Sequence, residues 1–130
     1  MPARQLLPLF NFCMGSFAPS MKSEENLDCI FCKIIAGDFG TEFVAQNEHA
    51  VAFRDINPQA KVHILCVPRQ HTKNVAELND NEVLSGLFSL IREVANQQTD
   101  GQFRLQFNTG EREGQSVFHT HAHILSARES

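Results

Sequence analysis

Apolar residues recur at three- and four-residue spacing through Leu84, Leu87, Phe88, Ile91 and Val94, the repeat of one buried helical face. Asn79 or Asp80 stands just ahead of that repeat and can cap it, so a long helix is predicted from about residue 80. A shorter helical spacing runs through Ile30, Phe31, Ile34 and Ile35 and stops at Gly37. Elsewhere the pattern is that of strands. Residues 42–46 and 50–54 are short strand segments on either side of the polar turn Asn47-Glu48-His49, whose histidine is expected in solvent. Residues 62–67 form the most apolar run, a central strand stopped by Pro68. Asp100-Gly101 turns the chain into an alternating strand at 102–107, and a polar, glycine-bearing loop follows at 108–114. Residues 119–124 alternate again, with a histidine at every second position.

The order helix, strands, helix, strands, with no internal repeat, predicts an α+β domain in which one helix packs across a largely antiparallel sheet. One domain accounts for the 130 residues, and its expected extent is 28–130. Residues 1–27 are expected to lie outside it. Their apolar patch, Leu6-Leu7-Pro8-Leu9-Phe10, is broken by proline, matches a signal peptide poorly and is too short to span a bilayer. Two explanations stay open: a non-native or upstream-start extension with Met21 opening the natural frame, or a disordered leader. The formal net charge is −4 and no run of Lys or Arg occurs, which argues against general affinity for nucleic acid but not against a nucleotide substrate. No membrane partner is expected. Cys13, Cys29, Cys32 and Cys66 follow no repeating framework and read as reduced thiols of a cytoplasmic protein.

The alternating histidines change the picture. A strand over 119–124 would send His119, His121 and His123 to one face, where each ring disfavours protonation of its neighbours. On spacing alone three readings compete: a polar strand with coincidental histidines, a three-histidine metal site, and a histidine-centred phosphoryl or nucleotidyl transfer site. The third requires a neutral imidazole whose second nitrogen is held by an acceptor. The loop ending Gly114-Gln115-Ser116 would add backbone N–H groups and a hydroxyl suited to phosphate oxygens. Cys29 and Cys32 form a Cys-x-x-Cys pair, which is half of a zinc site, a redox pair or chance.

The segment Gly114-Gln115-Ser116-Val117-Phe118-His119-Thr120-His121-Ala122-His123-Ile124-Leu125 closely resembles the signature of the histidine-triad (HIT) superfamily of nucleotide hydrolases and transferases. Cys29-Ile30-Phe31-Cys32-Lys33-Ile34 resembles the opening helix of its Hint branch, and Phe53-Arg54-Asp55-Ile56-Asn57-Pro58-Gln59-Ala60 its ribose-binding loop. The likeness covers about residues 28 to 126 and implies a HIT-like fold of about five antiparallel strands, one long helix and a short N-terminal helix. It implies that His121 is the nucleophile attacking the α-phosphorus of a purine nucleotide conjugate, through a covalent nucleotidyl-histidine. His123 would contact the phosphate side and help protonate the leaving group, with His63 supporting it from the neighbouring strand. Asn108, Gly114, Gln115 and Ser116 would contact the phosphate or leaving group, Ser116 among the catalytic residues. Asp55 would hold the ribose hydroxyls, and Ile30, Phe31, Ile34, Phe53 and Ile56 the base. In cysteine-bearing members a structural zinc uses residues that match Cys29, Cys32, His71 and His119. The resemblance further implies a symmetric homodimer. Its activity would be hydrolysis of nucleotide phosphoramidates; the alternatives are hydrolysis of dinucleoside polyphosphates, as in the Fhit branch, or nucleotide binding with little turnover.

Overall fold

The first described helix, α1 (Ile30–Ala36), is bounded by two local devices in a computed structural model that describes residues 28–127. The Cys29 sulfur accepts from the Cys32 amide at its start, and Gly37, at φ 91°, folds back to satisfy the last carbonyls. A side chain at Gly37 would be strained in that left-handed conformation. The expectations for residues 1–27 lie outside the described residues.

Strands β1 (Ala45–Gln46), β2 (Ala50–Arg54), β3 (Val62–Pro68), β4 (Arg104–Phe107) and β5 (Ala122–Ser126) form one antiparallel sheet in the order β1-β2-β3-β5-β4. β3 lies in the middle and every residue in it is buried, as its unbroken apolar run requires. One face carries Ala50, Ala52, Ile64, Cys66, Ala122 and Ile124 and packs against helix α2 (Asn81–Gln98). Small residues on β2 let the helix approach closely, and Gly86 of α2 sits against His49. The other face carries Val51, Phe53, Leu65 and Val67, covered by Phe31 of α1. Among the described residues the half of the second face on β5 and β4 is left as a cavity, which α1 borders on one side. Among the described residues no helix is long and apolar enough to cross a membrane.

The α+β architecture expected from the pattern is the one found, with five strands and two α-helices among the described residues. Several boundaries differ. Only Ala45 and Gln46 of 42–46 pair as a strand, although the Val44 amide also reaches the Ala52 carbonyl. The alternating strand expected at 102–107 begins at Arg104, two residues late. Asp80, not Asn79, caps α2, accepting from the Glu82 and Val83 amides. The buried stripe of that helix is Val83, Leu87, Leu90, Ile91, Val94 and Ala95; Leu84 is half-buried and Phe88 44% exposed. The stripe is rotated because Phe88 stacks on Phe107 at the open edge of the sheet, not over its centre. His49 is half-buried, held against α2 where the Asn47 amide donates to the Gly86 carbonyl.

Candidate active site

Strand register assembles the open face row by row. Across β4, β5 and β3 the first row reads Arg104, Leu125, His63, and the Asp55 amide extends it by donating to the His63 carbonyl. The second row reads Gln106, His123, Leu65, Phe53. Asn108 and His121 continue β4 and β5 one step further. These side chains floor a cavity of about 620 Å³, a volume suited to a nucleotide. Ile30, Phe31, Ile34, Phe53 and Ile56 line its apolar side, and Gly114 and Ser116 its loop side.

The histidine segment is not one regular strand. Ladder pairing starts at Ala122, so His119 and His121 precede it and only His123 belongs to β5. The stretch before β5 is fixed otherwise: the Thr120 amide donates to the Thr72 carbonyl, and the two threonine hydroxyls are 2.7 Å apart. Each ring is thereby turned to a different partner. His119 and His121 are both buried, and the three rings do not share one environment.

Hydrogen bonds set the state of each imidazole. His121 Nδ1 lies 2.7 Å from the His119 carbonyl oxygen, which can only accept, so the proton sits on Nδ1. Nε2 is left with the lone pair, and the ring lies edge-on to Phe31 with centroids 4.9 Å apart. Burial lowers the affinity of His121 for a second proton, partly offset by the His119 carbonyl and the charge of Asp55. His123 is pushed down to about 4, by burial first and then by His121 and His63. His63 contacts it, Nε2 to Nδ1, at 2.9 Å. Asp55 presents one carboxylate oxygen 3.4 Å from His63 Nε2, while the other accepts from the Asn57 amide. A neutral, oriented imidazole beside an apolar pocket is what nucleophilic attack at phosphorus requires.

Of the residues expected at the site, all but one of those given nucleotide or catalytic roles line this cavity. Gln115 does not. It is 2% exposed, and its side chain accepts from the Gly110 amide and donates to the Lys73 and Val117 carbonyls. It ties the loop to the domain, with both amide hydrogens and the carboxamide oxygen already engaged in protein contacts. Asn108 donates to the Glu113 carbonyl across the same loop, and Gly114 turns there at φ 94° with Asn108 against it. Arg104 and Gln106 also line the cavity, which motif reading missed. Their alternation with Leu105 and Phe107 was the available signal, but alternation alone does not say which face a ligand uses.

The second cluster lies behind α1. Cys29 Sγ and His119 Nδ1 are 3.3 Å apart, Cys32 Sγ and His71 Nδ1 3.3 Å, and the two histidine Nδ1 atoms 3.1 Å. Ligands of a tetrahedral zinc lie on the order of 3.3–3.8 Å from one another, so the donor set fits with small adjustment. His119 Nε2 is 2.8 Å from the Pro68 carbonyl, which puts the ring proton there and leaves Nδ1 bare toward the sulfurs. Burial, then His71 and His121, push His119 down to about 4, the state a metal ligand needs.

Comparison with known proteins places the chain beside relatives in sequence and structure. A family model described as the scavenger mRNA decapping enzyme C-terminal binding domain matches residues 28–130. The chain is 42% identical over 102 residues to Protein hit of Bacillus subtilis, covering 75% of this chain and 70% of that one. It is 34% identical over 105 residues to the purine nucleoside phosphoramidase of Escherichia coli, covering 78% and 88%. The structure of a HIT family hydrolase from Clostridium thermocellum superimposes with a TM-score of 0.72 at 36% identity, covering 77% of this chain and 90% of that one.

Proposed function

The chain belongs to the histidine-triad (HIT) family of hydrolases and nucleotide-binding proteins, and from that premise we propose that it hydrolyses purine nucleotide phosphoramidates through a nucleotidyl-histidine. The observation that carries the reading is the His121 tautomer: Nδ1 is anchored 2.7 Å from a carbonyl, so the nucleophilic lone pair is on Nε2. The base lies among Ile30, Phe31, Ile34, Phe53 and Ile56, and the ribose hydroxyls on Asp55. The α-phosphate sits over His121 and His123, with Asn108, Gly114 and Ser116 on its loop side. His121 Nε2 attacks phosphorus, the leaving group departs, and water cleaves the N–P bond to release the nucleoside monophosphate. The name of the Escherichia coli relative supports phosphoramidates over dinucleoside polyphosphates.

Cys29, Cys32, His71 and His119 would hold a structural zinc. When bound, such a metal would supply a cross-link between α1 and the segment that carries His121, two residues from His119. Residues 28–130 form the working domain in this reading, in the reducing cytoplasm that two cysteine ligands favour. A homodimer through β4 is part of it, because among the described residues that strand is an unpaired edge, with Leu105 in it and Phe103 just before it both 39% exposed.

Incubation with an adenosine phosphoramidate tests the reading. Wild-type protein should release AMP, and His121→Ala should retain nucleotide binding and fold while losing turnover by about 10⁴-fold or more. Turnover near wild type in His121→Ala would remove the nucleophile assignment, and nucleotide binding without AMP release would leave a binding protein.

A further inference from the structure

Two nitrogen-to-nitrogen contacts follow one another beneath the cavity. The Gln59 amide donates to His63 Nδ1 at 3.1 Å, so His63 Nδ1 carries a lone pair and its proton is on Nε2. That Nε2–H faces His123 Nδ1 at 2.9 Å, which must accept. The proton of neutral His123 is then on Nε2, the nitrogen away from His63. Asp55, 3.4 Å from His63 Nε2, favours the same arrangement.

We propose that the Gln59 amide locks His63 and His123 as a neutral pair, making His123 a fixed N–H donor to the phosphoryl oxygens and not the leaving-group acid. A second proton on His123 would have to sit on Nδ1, opposite the His63 N–H. His63 cannot turn its proton to Nδ1, because the Gln59 N–H occupies that direction. A backbone amide does not give up its proton, so the chain ends there and delivers none. Burial, then His121 and His63 beside it, lower the proton affinity of His123 in agreement with this geometry, with Asp55 acting in the opposite sense. The same geometry argues against a cation among Asp55, His63 and His123, although their ligand atoms lie within 4.8 Å; the facing nitrogens already share a proton.

The inference rests on the phosphoramidase reading and completes its proton balance. His121 Nε2 forms the N–P bond as the P–N electron pair leaves with the amine. Water entering the open cavity protonates that amine, and the hydroxide formed cleaves the N–P bond, restoring neutral His121. His123 donates a hydrogen bond throughout and transfers no proton.

Nitrogen-15 NMR of the imidazoles reads the tautomers directly in wild-type protein, without substrate and with bound AMP. Both rings should show bare Nδ1 and protonated Nε2 in each state; a doubly protonated His123 with AMP bound would overturn the proposal. Gln59→Pro, which removes the amide proton, should mix the His63 tautomers, whereas Gln59→Ala should not; an unchanged His63 spectrum in Gln59→Pro would remove Gln59 from the account. Kinetics supply a second arm. His123→Gln keeps an N–H donor and should retain at least about tenfold more turnover than His123→Ala, since losing such a donor costs about 10²–10³-fold. Equal losses in the two variants would show a general acid. Wild-type protein without AMP release would count against the phosphoramidase reading and leave the NMR result standing.

Discussion

Replacing Gln115 with Met separates a loop clamp from a ligand contact. Met keeps the unbranched stem and nearly the same volume, so packing changes little. Three hydrogen bonds of 2.8–3.0 Å are lost, to the Gly110 amide and the Lys73 and Val117 carbonyls. Each neutral bond contributes roughly 0.5–1.5 kcal/mol net, which sums to about 3 kcal/mol. Lys73 is exposed and can regain water, so the lower half of that range is expected there. For a domain of this size about 3 kcal/mol lowers Tm by roughly 10–20 °C. Urea unfolding gives the free energy and steady-state AMP release the kinetics. Turnover should fall with stability, because Asn108, Gly114 and Ser116 ride on the same loop. A stability loss below about 0.5 kcal/mol together with a raised KM would refute the clamp and return Gln115 to the nucleotide.

Gly86→Ala would place a Cβ 2.6 Å from His49 Cβ, which sits on the backbone and cannot swing away; thermal unfolding should show a loss of about 1–3 kcal/mol. His49→Ala does not remove that Cβ, so it should rescue Gly86→Ala only in part. Metal analysis of protein purified without chelator should find about one zinc per chain, and Cys32→Ser should lower both the content and the Tm. Zero zinc in a folded protein would dismiss the site. Native His123 binds its proton near 4 against an ordinary value of 6.5, so between those values the unfolded chain holds more protons. Stability measured in urea should therefore be full above pH 6.5 and fall as the pH drops toward 4; a flat profile there would contradict the burial of a neutral ring.

How much of this was legible in the chain differs by feature. The period of apolar residues determined the helices and strands, because burial of one face leaves a local repeat. The two Cys-His pairs and the alternate histidines could be named as chemistry from residue type and order, aided by a family signature. Gln115 shows the limit: adjacent to a phosphate loop in sequence, it faces inward, since side-chain direction depends on what the loop must satisfy. Phe88 shows another, because whether a helical position is core depends on the width of the sheet beneath it. Most of all, the spacing that promised three equivalent imidazoles yielded three different ones. Local sequence sets where the rings attach. Two of the contacts that set their tautomers are near in sequence, His121 on the His119 carbonyl and His63 on the Gln59 amide; the other two, His119 on the Pro68 carbonyl and His123 on His63, join segments 51 and 60 residues apart that only the tertiary fold brings together.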